Sequence, residues 1–216
     1  MSNLEESVEF IDNQPRCACT LILDTSGSMQ GQAIDELNRG LQALRDDLME
    51  DNLARRRVEI AIVEFNSKVR LVQDFVTVPN FYPPHLKASG LTEMVGGINM
   101  GLDLLQARKT IYNQNGVPFY RPWAFLITDG QVDNYGDVAN RIRQDEQAKR
   151  VVFFAVGVKG ADRQCLNEIS VREPKMLQDF QFRELFLWLS NSMKRIAQTQ
   201  PGEMVALPKG NWEAIN

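Results

Sequence analysis

Asp24, Ser26 and Ser28 alternate along the stretch Asp24-Thr25-Ser26-Gly27-Ser28, and three oxygen-bearing side chains at that spacing converge on one point if the loop curls around it. Gly27 gives the backbone the freedom to curl. Hard oxygen donors of this kind suit Mg²⁺, Mn²⁺ or Ca²⁺ rather than zinc. Three donors do not complete a six-coordinate shell, so later loops must add oxygens. Two offer them: Thr92 in Ser89-Gly90-Leu91-Thr92 and Asp129 in Ile127-Thr128-Asp129-Gly130. Asp24 and Asp129 brought together would repel, and one would take up a proton unless a cation sat between them. Two carboxylates and three neutral hydroxyls leave a divalent ion electrophilic, able to accept an Asp or Glu from another molecule. Taken alone, Asp24, Ser26 and Ser28 have a plainer reading as an N-cap cluster ahead of a helix. The addition of Thr92 and Asp129 favours the metal.

Each of these residues needs an element to position it. Asp24 follows the apolar run Cys17 to Leu23 and precedes an amphipathic segment beginning near Gly31, so it stands in a strand-to-helix loop. In open α/β sheets such loops lie at the carboxyl ends of parallel strands, where ligands bind. Ile34, Leu37, Leu41, Leu44 and Leu48 recur at helical spacing. Val58 to Phe65 predicts a strand, and Asn66-Ser67-Lys68 a hairpin turn into Val69 to Val78, which makes one antiparallel strand at the sheet edge. A proline-bearing loop, Pro79 to Gly90, then delivers Thr92 to a helix with Met94, Ile98, Leu102 and Leu105 facing inward. On that helix Gly96, Gly97 and Gly101 permit close approach to a neighbour. Trp123 to Thr128 predicts a buried strand ending at Asp129.

The remainder repeats the alternation: a helix over Asp137 to Lys149, a strand over Arg150 to Val158, a short helix over Asp162 to Ile169 and a short strand near Lys175 to Leu177. A last helix follows, N-capped by Asp179, with an inner stripe of Phe182, Leu185, Phe186, Leu189, Met193 and Ile196. Strands alternating with helices imply an α/β fold: three layers, a doubly wound and mostly parallel sheet, one antiparallel edge strand and right-handed crossovers. The expected division is an extension over 1–11, one domain over 12–198 and a tail over 199–216, where Pro201, Gly202, Pro208 and Gly210 break up any periodicity.

A chain of 216 residues buries about 70% of its extended surface without staples. Its net charge of -4 argues against nucleic acid or an anionic membrane as the main partner. No apolar run approaches the ~20 residues of a membrane helix. The acidic start lacks the pattern of a secretory signal, so a cytoplasmic location is expected. Three cysteines read as reduced thiols, with Cys17 and Cys19 sharing one face of a strand as core residues rather than as a metal or redox pair.

The order D-x-S-x-S, then Thr, then Asp resembles the metal-ion-dependent adhesion site of von Willebrand factor A (vWA) domains. The segments Cys17 to Leu41, Ala88 to Ile98 (ASGLTEMVGGI), Arg121 to Asp133 (RPWAFLITDGQVD) and Phe154 to Gly160 are similar to bacterial cytosolic vWA proteins of the tellurium-resistance, TerY-like type. That resemblance covers roughly Arg16 to Ser192. It implies a protein-interaction module associated with kinase and phosphatase components of a chemical stress response, and no enzymatic activity of its own. It also implies metal ligation by Ser26 and Ser28 through their hydroxyls and by Asp24 directly or through water. Thr92 and Asp129 would exchange direct for water-mediated contact as the site changes state. The chain departs from the family pattern at Glu93 and at Gln131-Val132, and Glu93 adds negative charge at the rim.

Other residues carry plainer readings. Asp133 is read as a loop or helix-capping residue before an outer partner of the metal, His85 as a solvated loop histidine, and Arg55-Arg56-Arg57 as a solvated approach to a strand before a phosphate-binding patch. Phe182, Phe186 and Trp188 belong more simply to the core than to a partner groove. The alternative to a binding module is a Mg²⁺-dependent phosphatase using Asp24 as a phosphoaspartyl nucleophile. Such enzymes carry DxDx(T/V), whereas position 26 here is Ser. Neither GxSxG nor GxxxxGK(S/T) occurs.

Overall fold

The computed structural model describes residues 14–130 and 134–210. In chain order the elements are β1 (Cys17–Asp24), α1 (Gln32–Met49), a one-turn α2 (Ala54–Arg57), β2 (Val58–Phe65) and β3 (Val69–Thr77), then α3 (Met94–Gln114) and β4 (Trp123–Thr128). They are followed by α4 (Gly136–Gln147), β5 (Val152–Gly157), α5 (Arg163–Ile169), β6 (Lys175–Met176) and α6 (Phe182–Ala197). Short 3₁₀ turns occupy Gly27–Met29 and Val78–Asn80. The sheet order is β3-β2-β1-β4-β5-β6, parallel throughout except for the β2–β3 hairpin. The fold class and its antiparallel edge strand are therefore as the sequence pattern implies.

The order of winding reverses between β1 and β4: the chain runs outward from β1 to β2 and β3, then returns to add β4, β5 and β6 on the other side. The carboxyl ends of β1 and β4 thus flank the switch point, where an open α/β sheet leaves a crevice. Asp24 is the last residue of β1 and Asp129 the first after β4.

Strand alternation splits the core in two. One face turns Cys17, Cys19, Leu21 and Leu23 toward α1 and α6, and the inner stripe of α6 from Phe182 to Ile196 is buried there. The other face turns Ala18, Ile22 and Phe65 toward α3, α4 and α5. Close packing of α3 depends on two glycines: a β-carbon would stand 2.7 Å from Phe65 at Gly97 and 2.5 Å from Ile22 at Gly101.

The amino ends of the strands hold a buried ionic cluster. Glu59, near the start of β2, is fully buried and takes Arg108 Nε at 2.7 Å and Arg16 Nε at 3.5 Å. The phenol of Tyr112 donates to the same carboxylate. Arg108 and Tyr112 extend the inward stripe of α3, so the helix that packs on β2 also brings its counter-charge.

Two local expectations fail. Asp179 does not cap α6: it adopts a left-handed conformation (φ 48°), and Gln181 takes the N-cap position without a side-chain cap. Its turn is spent bending the chain ahead of the helix. Arg57 is not a solvated approach to β2. Its guanidinium donates to the side chain of Gln14 at 2.9 Å, to Tyr120 Oη at 3.1 Å and to the Ala197 carbonyl at 2.7 Å, tying α2 to the end of α6. The described part of the tail lies across the body, with Trp188 Nε1 donating to the Pro208 carbonyl at 2.7 Å. The expected extension over 1–11, the residues Gln131, Val132 and Asp133, and positions 211–216 lie outside the described residues.

Candidate metal centre

β1 runs fully buried to its last residue, and the chain then turns at once. The side chain of Asp24 organises that turn: its Oδ1 accepts the Ser26 backbone N–H at 2.8 Å. Its Oδ2 accepts the hydroxyl of Thr128, the last residue of β4, at 2.6 Å. The Thr128 oxygen in turn accepts the Gly130 N–H at 2.9 Å. One carboxylate therefore binds both loops at the switch point together.

The two serines lead outward from it. Ser26 Oγ lies 3.1 Å from Ser28 Oγ, and Ser28 Oγ donates to Asp129 Oδ1 at 2.8 Å, across 101 positions of sequence. Thr92 approaches from a third loop. A β-carbon at Gly130 would stand 2.9 Å from Thr92 Cγ2, 3.3 Å from Asp24 Oδ2 and 3.3 Å from Thr128 Oγ1. All five residues singled out in sequence meet at this edge, and Gly130 keeps open the space between Thr92 and Asp24.

The Thr92 loop is held from two sides. Gly27 N donates to the Gly90 carbonyl at 2.9 Å and Ser89 N to the Thr25 carbonyl at 2.8 Å, fixing it to the β1 turn. Ser67 Oγ accepts Leu91 N–H at 2.8 Å, and Glu93 N donates to the Asn66 carbonyl at 2.8 Å, fixing it to the β2–β3 hairpin. Gly90 adopts φ 78°, a conformation that a side chain would strain. A β-carbon there would also stand 2.4 Å from Ser67 Oγ.

Burial pushes the Asp24 carboxyl above its ordinary value, against the lowering effect of the Ser26 and Thr128 hydrogen bonds. Asp129 is also raised, first by burial and then by the charge of Asp24, with the Ser28 bond opposing. Repulsion is thus the lesser cause; desolvation dominates. None of the ion pairs among the described residues reaches either carboxylate. The donor set is wholly hard oxygen, two carboxylates and three hydroxyls, and it fits a small divalent cation better than a soft metal.

Sequence reasoning missed Thr128 and Gly130. Their signal was positional: a hydroxyl on the last residue of a buried strand, next to the candidate ligand, and a glycine just beyond it. His85 is exposed, as read from its loop, and Glu93 is exposed at the rim.

The von Willebrand factor type A domain family matches residues 20–186. A von Willebrand factor A domain-containing protein of Dictyostelium discoideum is 23% identical over 136 residues, or 63% of this chain and 14% of that protein. The pilus adhesin SpaC of Lactobacillus rhamnosus GG, in its open conformation, superposes with a TM-score of 0.67 at 14% identity, over 86% of this chain and 31% of that one. The PilB minor pilin of Streptococcus sanguinis gives 0.59 at 15% identity, over 85% and 62%. This chain thus spans less than two thirds of the length of each of these relatives, and at such identities the structures share the fold alone.

Proposed function

Because the chain belongs to the von Willebrand factor type A family, commonly a protein-interaction module, we propose that it binds a protein partner through a divalent cation held by Asp24, Ser26, Ser28, Thr92 and Asp129. The observation that carries this reading is the Ser26–Ser28–Asp129 chain of contacts at 3.1 and 2.8 Å, set beside the Asp24 carboxylate at the switch point. When bound, Mg²⁺, Mn²⁺ or Ca²⁺ supplies an electrophilic position that an Asp or Glu of the partner completes. The chain's own residues do the rest. Asp24 fastens the two loops, the serines and Thr92 offer neutral oxygens, and the tied Thr92 loop keeps its position without further ordering.

Binding suits this site better than phosphoryl transfer. Asp24 is fully buried, and both its oxygens already accept hydrogen bonds from Ser26 and Thr128. A nucleophile must be reached by its substrate, and this carboxylate is enclosed, whereas a small cation needs only one of its remaining lone pairs. The likeness to TerY-like proteins supports an adaptor role in a bacterial tellurium or chemical stress response, with kinase and phosphatase components as the class of partner.

Titration calorimetry with Mg²⁺, Mn²⁺ and Ca²⁺ on wild type, Asp24→Ala and Ser28→Ala tests the metal. A single saturable site lost in both variants is expected; binding unchanged in either variant would remove those residues from the site. A pull-down comparing Mg²⁺, EDTA and Asp24→Ala then tests the partner. Equal retention of a partner in all three would place the interface on another face.

A further inference from the structure

At the opposite edge of the sheet, where β4 and β5 begin, a cavity of about 700 Å³ opens beneath the tail segment Gly202 to Leu207. That volume lies within the range of small-molecule sites. β4 connects the two edges: Trp123 lines this cavity and Thr128 contacts Asp24, roughly 17 Å apart for five strand steps. The cavity is therefore separate from the candidate metal centre.

Its walls are basic and its floor is aromatic. Lys109, Arg121, Lys149, Arg150 and Arg172 converge on it from four segments of an acidic chain, against one lining carboxylate, Glu203. Part of this charge is already matched. Glu146 holds Arg121 at 2.5 Å and Arg172 at 3.0 Å, and Asp145 holds Arg150 at 2.6 Å. Glu203 turns to the Gln200 backbone N–H at 3.1 Å.

An excess of positive charge remains. Lys109 has only long contacts, 3.4 Å to Gln106 and 3.5 Å to the Arg150 carbonyl. Burial and the nearby Arg150 hold its ammonium below the ordinary lysine range, although Asp145 pulls the other way. The Lys149 side chain enters none of the ion pairs among the described residues. Arg121 Nε is buried without a hydrogen-bond partner. Below these cations the Arg172 guanidinium stands 5.7 Å from the Phe154 ring centre, and Phe154 packs on Trp123 at 4.9 Å.

The geometry points to a second binding site at this edge for a phosphomonoester carried on a flat ring, of mononucleotide size. The guanidiniums and lysines match the doubly charged phosphate, since arginine forks suit its oxygens and lysine supplies point charge. The half-buried Phe154 and Phe119, whose rings already pack on Trp123 and Tyr112, leave apolar surface in the lining for the organic part. Inorganic phosphate alone leaves that apolar surface uncovered, and a neutral nucleoside leaves the charge unmatched.

The test is calorimetry on the full chain in EDTA at low salt, with AMP, phenyl phosphate, adenosine and inorganic phosphate as probes. AMP or phenyl phosphate should bind about tenfold tighter than either adenosine or inorganic phosphate. Which of the two binds tighter distinguishes a nucleotide from an aryl phosphate. The double variant Lys109→Gln/Lys149→Gln changes only side chains outside the Glu146 cluster, and it should weaken that binding about tenfold while melting like wild type. Asp24→Ala should bind the probe as wild type does. No saturable binding of any probe, equal binding to the lysine double variant, or loss in Asp24→Ala would each overturn the assignment.

Discussion

The two ends of the central strands bury a carboxylate in opposite ways. At the amino end Glu59 is enclosed with two guanidiniums and a phenol, all supplied by the chain. At the carboxyl end Asp24 is just as deeply buried, yet its partners are a backbone N–H and a threonine hydroxyl, both neutral. A buried ionised group needs compensation, and of these two sites the amino-end one alone has cations of the fold beside it. The amino-end cluster is complete within the fold and serves packing. The carboxyl-end group, raised above its ordinary range by burial, gains most from positive charge brought from outside. Under the proposed function, that difference in where the fold places its own cations separates a carboxylate that holds the structure from one that would hold a metal.

Mutations sharpen that contrast. Glu59→Ala should cost most, about 3–5 kcal/mol by urea denaturation, because it strands two buried guanidiniums; Arg108→Ala should fall in the same range. A loss below about 1 kcal/mol would mean that the cluster is solvated and the contrast false. Asp24→Ala should keep a cooperative melt but no longer respond to metal. At a hundredfold excess over Kd, Mg²⁺ should stabilise wild type by about 2.7 kcal/mol and leave the variant unchanged. Smaller still, Gly130→Ala puts a methyl group between Thr92 and Asp24 and should weaken metal binding about tenfold, about 1.4 kcal/mol, read by the same titration.

The least effect at neutral pH comes from the thiols beside the amino-end cluster. Burial, then the charge of Glu59, pushes Cys17 up to about 12 from 9.0. The folded state therefore keeps its proton where the unfolded chain gives it up. This contribution to stability is intact below pH 9 and is lost as pH climbs toward 12. Native protein at pH 8 should leave Cys17 and Cys19 unalkylated by iodoacetamide, with modification appearing only on denaturation.

Much of this was legible in the sequence, because periodicity and position carry it. The strands around Asp24 and Asp129, the inner stripes of α1, α3 and α6, and the convergence of three loops follow from apolar spacing and from the rule that ligand loops share one sheet edge. What escaped was set by pairing across the fold. Glu59 breaks the apolar strand VEIAIVEF, and Arg108 continues the stripe of Leu105 at helical spacing; only the packing of α3 on β2 joins them. Arg57 looked like one of three solvated arginines because its partners lie up to 140 positions away. Asp179 looked like a cap by residue type alone, whereas its backbone conformation is fixed by the turn it must make.

That same Arg57 has an architectural consequence. By holding Gln14 and the Ala197 carbonyl together, one guanidinium joins the chain ahead of β1 to the end of α6 at a single point. That point lies at the amino edge of the sheet, away from the Asp24 loops. Arg57→Ala would therefore loosen the seam between α2, α6 and the chain ahead of β1 while leaving the Asp24 loops in place.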